Sequence, residues 1–334
     1  MRKLLISTFM LMAVTAFTIE KDSNDMTIYN KSARIEVKNP LGVFIEGSFL
    51  YWQPRQDGTE LAVINDTSGY ADIDHITRIG TKYKPAFKVA IGKNLTYDDS
   101  QLIAEYLWYY SKQKAKVATT DIFPLWTHIE VGSGTYPASG NANWKLRMNM
   151  INIKLQRQFF VGSRLILTPS FGLKGGWLNQ NYTANYYTDL FWTTIHSYSK
   201  AKSDSWLLGP RLGADLAFTF PKGFRFIGSF YSSICYQYIQ PRQEIYLTYL
   251  GDISKIRQDS GNITNIFEMN GGFSWGTYFP SNKYYIDFAL TYDFHTYSEQ
   301  NYMFYIVNTD ANTSVASKYP LFLHGITFKT SFYF

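Results

Sequence analysis

The chain has 334 residues and a formal charge of +6, with 18% aromatic residues, including 27 Tyr and 25 Phe, yet a mean hydropathy of only -0.20. The charge is modest and no dense basic cluster stands out, which argues against a nucleic-acid partner. The lone cysteine, Cys235, excludes an intrachain disulfide, and after the first sixteen residues no apolar run reaches the ~20 residues of a spanning helix.

Residues 1–16 (MRKLLISTFMLMAVTA) combine two early positive charges, an apolar stretch and a small-residue site at Val14-Thr15-Ala16. They read as a secretory signal cleaved after Ala16. Residues 17–40 are polar and read as a periplasmic lead-in. Residues 41–334 read as one domain. Within it, ten segments have the length that a tilted membrane-crossing strand needs, ~9–11 residues or more. They are Gly42 to Trp52, Ala86 to Leu95, Gln101 to Ser111, Trp144 to Gln158, Arg164 to Gln180, Trp206 to Phe220, Gly223 to Tyr238, Ile263 to Phe279, Lys283 to Tyr297 and Leu321 to Phe334.

Short turns such as Thr96 to Asp99, Pro221-Lys222 and Pro280 to Asn282 follow every second segment, and longer polar segments follow the others. Short turns on one side and long loops on the other are the habit of outer-membrane barrels. Alternation is cleanest late in the chain. Tyr284, Ile286, Phe288, Leu290, Tyr292 and Phe294 would meet lipid, with Asp287, Thr291, Asp293 and His295 on the opposite face. Trp144 to Gln158 is less regular, since Met148 and Met150 share a face with Asn152 and Lys154, suggesting a bulge or a contact with another subunit.

The last segment ends ITFKTSFYF, with Ile326, Phe328, Phe332 and Phe334 on one face. An apolar strand edge of this kind invites aggregation unless a barrel closes on it. The fold class is therefore all-β: a transmembrane antiparallel up-and-down barrel of about ten strands, with short periplasmic turns and five long outer loops. Thr59 to Asn65 and Trp126 to Gly132 could raise the number to twelve. Trp52, Trp108, Trp206 and Trp275 fall near segment ends, where interface anchoring is the plain explanation.

The inward faces collect Glu46, Lys88, Glu105, Arg147, Lys174, Arg211, Asp215, Arg225, Glu268, Asp287, Asp293 and Lys329 as candidate lumen-lining residues. Charge inside a barrel must be solvated or paired, so the lumen is either a water-filled path of mixed charge or a salt-bridged plug. Ten strands lie nearer the filled end of the range than porins of sixteen. The many glycines are strand residues that relieve bends and carry no nucleotide site. A hydrolase is a remote alternative, with Asp72, Asp74 and His75, or Asp293 and His295, as a carboxylate-oriented base. No cofactor or metal is implied.

Several blocks also resemble a known family. FLYWQPRQDGTELA at Phe49 to Ala62, KPAFKV at Lys84 to Val89, RQFFVGSRLILTPSFGLKGGW at Arg157 to Trp177, GPRLG at Gly209 to Gly213 and the aromatic end look like the pore-forming major outer membrane protein family of Legionella and chlamydia-like bacteria. The resemblance implies an outer-membrane barrel with pore activity and no catalytic residues. With Cys235 alone, it does not imply the disulfide-linked network of the cysteine-rich chlamydial proteins.

The expectation is an outer-membrane, non-enzymatic porin-like protein passing small hydrophilic solutes. The alternative is a non-conducting structural or adhesive barrel that acts through its outer loops. Expected partners are outer-membrane lipid and lipopolysaccharide, the barrel-assembly machinery through the strand ending in Phe334, and further copies in a homo-oligomer.

Overall fold

The computed structural model describes residues 31–38, 41–66, 73–119, 122–127, 137–190, 193–248, 251–257, 259–308, 313–316 and 318–334. The proposed signal segment and most of the lead-in lie outside them.

Ten strands form the wall: β1 (Val43–Gln56), β2 (Lys84–Asn94), β3 (Ser100–Ala118), β4 (Ser139–Arg157), β5 (Leu165–Leu190), β6 (Thr193–Thr219), β7 (Phe224–Leu247), β8 (Ser260–Tyr278), β9 (Tyr285–Tyr297) and β10 (Leu321–Tyr333). Each pairs antiparallel with its chain neighbour. β10 then pairs with β1, from Phe44 opposite Tyr333 to Gln56 opposite Leu321, so the sheet closes. Closure leaves the wall without a free edge, which is what lets apolar strands face lipid. The barrel has ten strands rather than twelve. Of the two segments that could have added strands, Thr59 to Asn65 leads into Ala62–Asp66, which forms a small separate sheet with Ile73–Thr77 and Ile122–Pro124, and Trp126 to Gly132 lies, beyond Thr127, outside the described residues.

Alternation decides which side chains meet lipid. On β7, Phe224, Phe226, Phe230 and Ile234 are exposed while Ser233 and Gln237 are buried in the lumen. On β10, Ile326 and Phe328 point out, and Thr327 and Ser331 point in. One register row of large side chains crosses six strands on the outside: Phe87, Trp108, Asn149, Trp177, Trp206 and Tyr238. The row climbs along the strands as it goes round, as the stagger of a closed barrel requires, and keeps its aromatic side chains on the lipid-facing side. Trp52 departs from expectation. It is 1% exposed and points into the lumen, donating from Nε1 to Thr327 Oγ1 at 3.1 Å and packing on His295.

The turn ends of the strands fall within two residues of expectation, as do the outer ends of β9 and β10, but the outer ends of β1 to β8 run further. β5 and β6 extend for 26 and 27 residues, far beyond the ~9–11 needed to cross. Two of the five expected long loops are thus largely strand: β5 and β6 pair up to Leu190 and Thr193, and Gly251–Arg257 extends the pairing of β7. The outward face of the extensions is polar, as in Asn179, Asn181 and Thr183, and so carries no lipid-type alternation.

Candidate functional site: the barrel lumen

The lumen divides into two levels. Toward the outer mouth, segments from three loops fold inward and fill the barrel. Leu61, Ala62, Ile122, Trp126 and Met303 from these segments are buried against Trp144, Tyr182 and Tyr186 of the wall. Trp126 stacks on Tyr182 with ring centroids 4.0 Å apart and donates to the Glu60 carbonyl at 2.6 Å. Tyr186 donates to the Leu61 carbonyl at 2.6 Å, and Tyr182 to that of Thr59 at 3.2 Å.

The segment before β10 is held just as fully. Asn301 Nδ2 donates to the carbonyls of Asp57 and Gly58, both at 3.0 Å. The amides of Gln237 and Gln300 exchange hydrogen bonds of 2.9 and 2.8 Å, and Gln180 donates to the Gln300 carbonyl at 2.9 Å. Each buried backbone carbonyl named here has a wall or plug donor, as burial without water requires.

Below the plug the lumen is ionic. Glu268 is its hub: Oε1 accepts from Lys174 Nζ at 2.8 Å and lies 3.1 Å from His295 Nδ1, while Oε2 lies 2.7 Å from Arg211 Nη2. The Arg211 guanidinium also sits 3.9 Å over the Tyr231 ring. The Tyr231 hydroxyl donates to Asp215 at 2.7 Å and accepts from Lys154 at 3.0 Å. Lys154 lies 3.6 Å from Glu105, which Lys88 approaches to 3.8 Å. Nearer the turns, Arg225 pairs with Asp287, and Lys329 lies 3.9 Å from Glu46. Asp293 accepts from Thr291 and Thr327, each at 2.7 Å.

A cavity of about 230 Å³ runs among these groups, from Trp52 and His295 to Phe44 and Tyr333. Ala33 and Ile35 line its turn end. They belong to a strap that crosses three turns: the Ala33 amide donates to Gln158 at 3.1 Å, Arg34 to the Leu95 carbonyl at 3.1 Å, and the Lys38 amide to Asn282 at 2.7 Å. The part of the lead-in that is described therefore lies against the turn ends of the strands.

Eleven of the twelve expected lumen residues face the lumen: Glu46, Lys88, Glu105, Lys174, Arg211, Asp215, Arg225, Glu268, Asp287, Asp293 and Lys329. Arg147 does not. It lies on the outer face of β4, 5.9 Å over the Tyr110 ring. Strand parity is the reason, because Trp144, Leu146, Met148 and Met150 form the buried row that packs beneath the plug. That row continues inward to Asn152 and Lys154, so the expected irregularity of this strand is simple alternation, and its pairing runs without a register shift.

Lys154 is the lumen residue that sequence reasoning passed over, although its shared face with Met148 was visible. Tyr231, which joins Lys154 to Asp215, shares the inward parity of Arg225 and Ser233 on β7, so its facing was legible and its link between the ions was not. Cys235 is buried in the lumen wall, 3.9 Å from the Lys174 carbonyl, and so is withdrawn from intermolecular chemistry in this structure. Of the alternative hydrolytic sets, Asp72 and the side chain of Asp74 lie outside the described residues, and His75 is exposed. Asp293 and His295 share the lumen face, but His295 takes Glu268 as its carboxylate. Among the described residues no group of three or more His, Cys, Asp or Glu side chains is arranged to hold a metal.

A closed ten-strand antiparallel wall with an apolar, aromatic-rich outer face and a charged interior defines an outer-membrane β-barrel protein. The family profile described as "Legionella pneumophila major outer membrane protein precursor" matches residues 42–334, and the chain belongs to that family. The protein accordingly resides in the outer membrane.

No curated protein matches the chain. Among solved structures it is similar to the outer membrane protease OmpT of Escherichia coli, at 13% identity and a TM-score of 0.42, covering 91% of this chain and 99% of that one. A FadL homologue of Pseudomonas aeruginosa matches at 7% identity and a TM-score of 0.30, covering 87% and 89%. The toluene transporter TodX of Pseudomonas putida matches at 8% identity and 0.28, covering 88% and 89%. No activity transfers from likenesses this low.

Proposed function

We propose that the protein is a porin-like barrel for small hydrophilic solutes, shut in this structure and opened when the inward-folded outer segments withdraw. The observation that carries the reading is the cavity beneath the plug, lined by charged groups of both signs. Lys88, Lys154, Lys174, Arg211, Arg225 and Lys329 face Glu46, Glu105, Asp215, Glu268, Asp287 and Asp293. A barrel that needed only to be stable would do as well with apolar side chains there, because buried ion pairs seldom repay their desolvation. The plug consists of loop segments, so it can move without breaking the strand pairing of the wall. Selectivity between ions is weak, since the signs balance.

A second reading, a non-conducting structural or adhesive barrel, draws support from the plug itself, which buries Trp126, Tyr182 and Tyr186 as completely as a soluble core. Single-channel conductance of the folded chain in a planar bilayer separates the two. Discrete steps that become larger or more frequent on Trp126→Ala support the gated pore. Silence from both proteins overturns it in favour of the second reading. If current flows, replacing Arg211 and Arg225 together by Ala shifts the reversal potential toward cations, and an unchanged potential removes them from the path.

The reading includes no catalytic step. His295 shares Glu268 with two buried cations, which leaves that carboxylate engaged and the imidazole beneath the plug. Phe332 and Phe334 are the residues we assign to recognition by the barrel-assembly machinery.

A further inference from the structure

The outer surface of the barrel carries a feature that neither the lumen nor the plug accounts for. Four residues beyond the aromatic row of Trp108 and Trp177, toward the outer ends of the strands, a second register row faces outward. Lys112 of β3 stands directly opposite Lys145 of β4. Lys145 stands opposite Asn181, and Asn181 opposite Lys202. Lys202 is opposite Arg242, which is in turn opposite Arg257. The row thus places like charges directly across from each other three times. Such pairs destabilise a sheet when nothing lies against them.

The charge is least compensated on β3 and β4. Lys112, Lys114, Lys116, Lys145 and Arg147 lie together on the outward face, and none of the five has a carboxylate partner among the described residues. By contrast Lys202 and Arg257 are tied to Asp204 and Asp259 at 2.6 and 3.3 Å. Neighbouring outward positions on β4 and β5 are Asn141, Asn143, Asn181, Thr183 and Asn185, neutral groups able to donate hydrogen bonds. Height matters as much as charge. Lys112 lies twelve residues along β3 from its turn end at Ser100, and Lys145 twelve along β4 from Arg157; at ~3.3 Å per residue and a tilt of ~45° that is roughly 28 Å, just past the ~25 Å apolar band of an outer-membrane barrel. That is the level of lipid headgroups, beyond the acyl chains and short of open solvent.

We propose that the outer face of β3 and β4, centred on Lys112 and Lys145 with Lys114, Lys116 and Arg147 around them, binds the phosphorylated sugar headgroup of the outer-leaflet glycolipid, lipopolysaccharide. The phosphates neutralise the opposed lysines, and the acyl chains lie along Trp108 and Trp177 below. The proposal rests on the outer-membrane setting alone and stands whether or not the barrel conducts.

The test uses the folded full chain in detergent, exchanged into buffer with one of three probes and read by native mass spectrometry. The probes are lipid A with two phosphates, the same acylated disaccharide without phosphate, and inorganic phosphate. Bis-phosphorylated lipid A is expected to stay bound, and the phosphate-free molecule to be lost. The variant Lys112→Gln/Lys145→Gln/Arg147→Gln should bind at least about tenfold more weakly, given ~1 kcal/mol per basic residue at an anionic surface. Equal retention of the phosphate-free molecule, unchanged binding by the variant, or displacement by millimolar inorganic phosphate would each overturn the proposal.

Should the triple variant fail to fold, judged by heat-modifiable gel migration, Lys112→Gln alone decides. Its Tm should rise above that of the parent in glycolipid-free micelles, because an opposed like charge is gone. In the presence of bis-phosphorylated lipid A the order should reverse. A Tm order that is the same in both media would also defeat the proposal.

Discussion

The two levels of the lumen solve the same problem by opposite means. Toward the outer mouth, imported loop segments fill the barrel with aromatic and aliphatic side chains, and their backbone groups are satisfied by Tyr182, Tyr186, Gln180 and Asn301. Toward the turns, side chains of the wall itself meet as ions around Glu268, Glu105 and Asp215, and a cavity remains between them. Dispersion and area burial hold the first level, and charge pairing holds the second. The contrast teaches where motion is cheap: the plug can leave as a body, whereas the ionic wall cannot lose one member without stranding its partners.

Glu268→Gln should be the most disruptive single change, because Lys174 and Arg211 are both buried and lose their shared carboxylate. Breaking a buried pair costs about 3–5 kcal/mol, and the midpoint of heat-modifiable unfolding should fall accordingly. Trp126→Ala removes a buried aromatic of comparable worth, about 3–5 kcal/mol. Here the loss should fall on the plug alone: hydrogen exchange and proteolysis should report released outer segments while the barrel still migrates as folded. Global unfolding of this variant would mean that plug and wall are one cooperative unit.

Tyr186→Phe keeps the ring and deletes the donor to the Leu61 carbonyl. A cost of about 1–3 kcal/mol is expected for the unsatisfied group, again confined to protection of the outer segments. The smallest effect belongs to Lys88→Gln. Lys88 lies 3.8 Å from Glu105 and is partly solvated, at 28% side-chain exposure, so a change below about 1 kcal/mol is expected. A larger drop in the unfolding midpoint would show that the ionic level is coupled from end to end.

Much of this was legible in the chain. The turn ends of the strands stood out because Pro221-Lys222, Pro280 to Asn282 and Thr96 to Asp99 interrupt segments with lipid-type alternation. The lumen faces of β6 to β10 followed from parity, down to Asp287, Asp293 and His295 on β9. Arg147 was misplaced because parity was not carried down β4 from Lys154 through the methionines, although those residues share one buried face. The outer ends of β5 and β6 were missed for a different reason. Above the membrane the outward face meets polar surroundings, so Asn, Thr and Lys replace the lipid-facing apolar residues there and the segments resemble loop.

By itself the sequence determined the class of fold, the wall and the compartment. A period of two with apolar side chains on one face allows only one arrangement once lipid surrounds it, and an aromatic final strand needs a first strand to close on. Tertiary structure alone decided what fills the barrel. Whether Trp126 faces solvent or stacks on Tyr182, and whether Trp52 anchors an interface or caps the ionic cavity, depends on contacts between segments far apart in the chain. Those contacts exist only in the closed barrel, so no local pattern of residues could announce them.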